Sequence, residues 1–207
     1  MNEIHGSKFK RVMSKGRALI NLAIFASGGG SNAQKIIEYF KDSKVVRVAL
    51  VISNKPNAGV LAIARENGIP IKVIDRPGFY ETEAILDVLK QHDIGFVVLA
   101  GFLRLVPGYL VQAFPKRILN IHPALLPKFG GKGMYGHHVH EAVKAAGETE
   151  TGMTIHFVNE HYDEGDYVFQ AKCSVGAADS PEDIARNVLK LEHLFFPETI
   201  EKVILAG

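Results

Sequence analysis

"NLAIFASGGGSNAQKIIEYF", residues 21–40, runs from aliphatic side chains through three glycines into a helical pattern. Residues 21–25 read as a buried strand. Over residues 32–41, Ile36, Ile37 and Phe40 fall on one helix face. Strand, bare turn and helix in that order open a βαβ unit, and the glycines let a ligand approach the backbone.

The alternation continues downstream. Residues 45–53 (VVRVALVIS) read as a strand, and 58–67 as a helix that Gly68 ends. Residues 70–75 read as a strand and 80–92 as a helix. Residues 95–101 are a strand, 108–114 a short helix and 117–122 (RILNIH) a strand. Short continuous apolar strands separated by helices predict an α/β fold with a doubly wound, mainly parallel sheet. The last third changes character. Residues 152–159 and 167–175 flank the tight EHYDEGD segment as an antiparallel hairpin, and 180–204 form a closing helix. Ser180 is placed as its N-cap, Pro181 at N1 and Asp183 at N3, while Pro197 is expected to kink or interrupt it.

The chain has 207 residues, 47% of them hydrophobic and 22% charged, which suits one domain with a substantial core. The net charge is +2, but residues 1–20 hold five basic residues against one acid. That segment therefore carries +4 and leaves −2 for the body, so the basicity is no argument for nucleic-acid binding. Residues 1–20 read as a flexible basic extension without the apolar core of a secretory signal. No apolar run approaches the roughly 18 residues that span a membrane. One cysteine, Cys173, leaves no intramolecular disulfide and suits a reducing cytoplasm. It reads as a passive thiol in a strand.

Ligands of such sheets bind beyond the carboxyl ends of the strands. Gly28-x-Gly30-x-x-Ala33 formally fits a dinucleotide fingerprint, yet strand two ends in Ser53-Asn54-Lys55 with no acid for a ribose. No Lys follows the glycines, which discounts a triphosphate loop. One phosphate on the first helix amides, with Ser31 and Asn32 as added donors, remains open beside a ligand-free turn. Asn120 and His122 stand at i and i+2 of a strand and face one side, an amide beside an imidazole that can stabilise an oxyanion and move a proton. A capped strand end is the plain alternative. If the 159–166 loop folds over that edge, Asp163 reaches the imidazole and favours its cation. Residues 136–141 (GHHVHE) look metal-like but lack H-E-x-x-H; a solvated helix start or substrate contacts fit better. His156 is either a satisfied core histidine or a member of the same site.

"ASGGGSN", "ISNK", "VLAGFLRLV", "ILNIHPALLPKF", "GMTIHFV", the DEGD loop and "EHLFFP", in this order, resemble the phosphoribosylglycinamide formyltransferases. The resemblance covers about residue 21 to the C-terminus. It implies the formyltransferase fold, with residues 21–207 as one domain: a phosphate-binding Rossmann-like half over 21–110 and a folate and catalytic half over 111–207. It implies transfer of a formyl group from 10-formyltetrahydrofolate to glycinamide ribonucleotide. These small molecules are the expected partners, with no metal, nucleic acid or membrane, for a monomer or homodimer. Catalysis falls to Asn120, His122 and Asp163, with Asp163 keeping His122 cationic. Phosphate binding falls to Gly30, Ser31 and Asn32. Folate binding falls to Leu103, Arg104, Leu105, Val106, Asn120, Asn159, Glu160, His161, Tyr162 and Asp163, and Glu192 approaches the substrate amine.

Three departures stand out. A folate-site Arg of some members aligns near Thr82, the 130–140 segment is long, and Glu164 replaces a frequent glycine. A formyltetrahydrofolate deformylase is expected to carry an added N-terminal domain, and a methionyl-tRNA formyltransferase a C-terminal one. A non-catalytic phosphometabolite-binding module would explain the glycine loop but not the Asn–His–Asp set.

Overall fold

The computed structural model describes residues 18–207. Most of the basic extension, residues 1–17, lies outside them. Seven strands form one sheet: β1 (Ile20–Phe25), β2 (Val46–Ser53), β3 (Ile71–Val73), β4 (Ile94–Leu99), β5 (Ile118–His122), β6 (Glu150–Phe157) and β7 (Tyr167–Ser174). Their spatial order is β3-β2-β1-β4-β5-β6-β7. The first five run parallel, and β6 is antiparallel to both β5 and β7. The expected sheet and hairpin are both present.

The helices among the described residues are α1 (Ser31–Phe40), α2 (Gly59–Glu66), α3 (Arg76–Tyr80), α4 (Ala84–Gln91), α5 (Gly108–Ala113), α6 (His137–Ala145) and α7 (Pro181–Ala206). Strand alternation divides the apolar side chains into two cores. Leu22, Ile24, Val98, Leu119 and Ile121 pack with α1, α2 and α7 on one face. Ala23, Phe25, Val97, Leu99 and Ile118 pack with α4 and α5 on the other. On β5, Asn120 and His122 continue the row begun by Ile118. The strand thus turns from apolar to polar on one face where it leaves the core.

Two expectations need correction. The helix expected over 80–92 begins only at Ala84, as α4, and a short α3 over residues 76–80 precedes it. Asp75 caps α3 by accepting Gly78 N–H at 2.8 Å. The Thr82 hydroxyl then donates to the Gly78 carbonyl at 2.9 Å and accepts Ala84 N–H at 3.3 Å, which closes a turn between them. Pro197 does not interrupt α7, which runs unbroken over 26 residues. Proline removes one helix bond, at a cost of about 3 kcal/mol. Ile184, Val188, Phe196 and Ile200, buried on one stripe, offset it. The Ser180–Asp183 capping box starts this helix as expected.

Candidate active site

The strand order reverses between β1 and β4, and a cleft of about 770 Å³ opens there. Its walls come from the glycine loop, the turn after β4, the end of β5, the 131–137 segment, the 161–163 loop and one face of α7.

Each glycine has its own reason. Gly30 has φ +87°, and a Cβ there would meet Val60 at 2.8 Å, so the residue is fixed by the contact with α2. Gly28 and Gly29 would meet nothing within 4 Å. They leave the backbone open at the start of α1, where the first amides have no helical partner. The helix cap makes no side-chain hydrogen bond.

The Asn32 side chain is engaged across the cleft. Its amide nitrogen donates to Glu192 Oε2 at 2.6 Å, and its Oδ1 is buried without a partner. Glu192, buried on α7, has its carboxyl pushed up to about 7 by burial, against the pull of that hydrogen bond. The anion donors that remain are the amides and the exposed Ser31.

At the end of β5 the expected trio converges. Asp163, with φ +57°, places Oδ2 at 3.5 Å from His122 Nδ1 and Oδ1 at 3.4 Å from Asn120 Nδ2. Gly131 N–H donates to Asp163 at 3.0 Å. The other ring nitrogen of His122 lies 2.7 Å from the Phe129 carbonyl. Both nitrogens of His122 thus face oxygen acceptors, which favours the cation. Burial acts the other way and wins, so His122 titrates below its ordinary value. Burial pushes Asp163 up, but the imidazoles of His156 and His122 and the Gly131 amide outweigh it and hold the carboxyl low.

His156 belongs to this site. Its Nδ1 lies 2.9 Å from the Phe157 carbonyl, and its Nε2 lies 3.0 Å from Asn120 Nδ2 and 3.6 Å from Asp163 Oδ1. The Asn120 amide nitrogen thus faces both His156 and Asp163.

Leu103, Arg104, Leu105 and Val106 all line the cleft, as do His161 and Tyr162. Asn159 and Glu160 do not. Asn159 accepts the His161 amide within its own loop, and Glu160 turns toward Gln112 at 3.4 Å. Sequence reasoning also missed several groups. Arg76 stacks on Tyr80 at 5.4 Å, and Tyr80 donates to the Leu105 carbonyl at 3.0 Å. The charges of Arg104 and Arg76 both reach the Tyr80 phenol. Arg104 Nη1 is buried without a partner. His140 is buried on the cleft wall and pushed down to about 4, by burial first and then by His137 and His122. Only the histidine-rich string hinted at it. Among the described residues no three His, Cys, Asp or Glu side chains are grouped to hold a metal. No helix among them is long and apolar enough to cross a membrane.

The formyl transferase family model matches residues 20–200. Phosphoribosylglycinamide formyltransferase of Bacillus subtilis is 35% identical over 88% of this chain and 93% of its own length. The chloroplastic phosphoribosylglycinamide formyltransferase of Arabidopsis thaliana is 50% identical over 86% of this chain. This chain spans 63% of that relative's length, and 59% of the Vigna unguiculata one. The crystal structure of the Anaplasma phagocytophilum enzyme of the same name superposes with a TM-score of 0.82, at 33% identity, over 90% of this chain and 87% of that one. The chain belongs to the formyl transferase family, among the phosphoribosylglycinamide formyltransferases.

Proposed function

We propose that the chain moves the formyl group of 10-formyltetrahydrofolate to the amine of glycinamide ribonucleotide, a step of purine synthesis. One observation carries this reading: a single cleft holds an open helix N-terminus, the Asn120–His122–Asp163 cluster, and an apolar wall of residues 102–106 that includes Arg104.

The 5′-phosphate sits on the first amides of α1 and on Ser31. Glu192, near neutrality at physiological pH, faces the glycinamide end with Asn32. The folate ring lies along residues 103–106, and Arg104 holds its glutamate carboxylates. The neutral amine attacks the formyl carbon. A C–N bond forms to the ribonucleotide, and negative charge gathers on the formyl oxygen. Asn120 donates to that oxygen by giving up its longer bond, the one to Asp163. His122, in its protonated form, stabilises that charge, since acceptors already face both of its nitrogens. Asp163 accepts the amine proton, directly or through water, for return to N10 as the folate C–N bond breaks.

The single free thiol, Cys173, is raised by burial and supports placing this activity in the reducing cytoplasm. The test is an assay of folate deformylation with and without the ribonucleotide. Turnover that requires it, with one formylated ribonucleotide per folate, supports transfer. Turnover independent of it points to hydrolysis, and none to a binding module.

A further inference from the structure

His122 on β5, Thr154 on β6 and Gln170 on β7 form a row straight across three strands. Directly paired positions share a face of the sheet. Of the three, only His122 lines the cleft.

Thr154 is fully buried, and its hydroxyl is saturated. It donates to the Ala124 carbonyl at 2.7 Å and accepts from Leu126 N–H at 3.0 Å and from Gln170 Nε2 at 2.9 Å. The same Gln170 nitrogen donates to the Leu126 carbonyl at 3.0 Å. Both backbone polar groups of Leu126 are thus held by side chains of the hairpin. The buried Leu126 side chain lies under Gly130, where a Cβ would come 2.5 Å from its Cδ2. Gly130 separates Phe129, whose carbonyl meets His122, from Gly131, whose N–H meets Asp163.

We propose that Thr154 and Gln170 are positioning residues, which hold Leu126 so that the loop after β5 presents the Phe129 carbonyl to His122 and the Gly131 amide to Asp163. The proposal rests on the formyl-transfer reading of this site. Neither residue carries a charge or reaches the cleft, so their effect on His122 is geometric. Asp163, His156 of β6 and His140 of α6 are the titratable groups around that ring.

The variants are Gln170→Met, Thr154→Val and Thr154→Ser. Gln170 is exposed on the edge strand, so Gln170→Met keeps the fold. It lowers kcat about tenfold while both KM values stay within about twofold, as a misplaced catalytic group does. Thr154→Val, which strands the Leu126 amide, lowers kcat at least as much. Thr154→Ser keeps the hydroxyl and restores kcat to within about threefold of the parent. NMR of imidazole-labelled protein without substrate reads the same clamp independently of turnover. The His122 ring resonances shift in Gln170→Met and not in Thr154→Ser. A folded Gln170→Met protein with parental kcat and unmoved His122 resonances overturns the proposal, as does a folded Thr154→Ser protein that stays impaired. If the parent protein transfers no formyl group, the functional reading fails, and the NMR comparison still decides the clamp.

Discussion

Asn32 and Glu192 are 160 residues apart in sequence and 2.6 Å apart in space. The bond joins the first turn of α1 to the middle of α7, across the cleft's inner end. It also fixes the Asn32 amide, so its oxygen is the atom left without a partner.

The buried Glu192 carboxyl, raised from 4.5 to about 7, makes stability depend on pH. The folded state holds this proton more tightly than the unfolded chain does. The benefit is complete below about pH 4.5 and is lost as pH rises through about 7. A shift of that size corresponds to about 3 kcal/mol. Glu192→Gln keeps an oxygen for Asn32 and removes the titration. Thermal unfolding of the variant is therefore flatter than the parent's between pH 5 and 8, with a relative gain at pH 8. Parallel curves would show that Glu192 does not ionise in this window.

The glycines separate into two kinds on substitution. Gly30→Ala meets Val60 and a positive φ, and loses about 2 kcal/mol or more of stability. Gly28→Ala has room and unfolds like the parent, but its methyl group crowds the anion site. Ribonucleotide KM rises while folate KM holds. Denaturant melts with steady-state kinetics check both, and a destabilised Gly28→Ala would contradict the distinction.

Arg104 lines the cleft wall formed by residues 102–106. Arg104→Ala raises folate KM about tenfold, more at low salt than at high, and leaves ribonucleotide KM alone. Competition by a folate lacking its glutamate is insensitive to the change. A rise in ribonucleotide KM instead would reverse the assignment of the two ends.

The strand–helix alternation was legible because hydrophobic period and glycine punctuation are local properties. The same holds for Asn120 and His122, which two-residue spacing alone places on one face of β5. What was not legible is long-range or dictated by turns. Thr82 closes the turn between α3 and α4 through one hydroxyl, which no local hydrophobic period announces. Asn32 looks like an anion donor until α7 supplies Glu192. Asn159 and Glu160 fall within the right loop but turn outward, because loop backbone and not residue type decides direction. The Phe129 carbonyl and Gly131 amide have no side-chain signature at all. The charge of His122 depends on a balance of burial against acceptors that only coordinates reveal.

The central claim is that Asp163 acts in the transition state and not in binding. Single-turnover kinetics of Asp163→Asn, with both substrates bound, test it most directly. The account predicts affinities within about twofold of the parent and a chemical step slower by at least about 100-fold. A chemical step near the parental rate would contradict it.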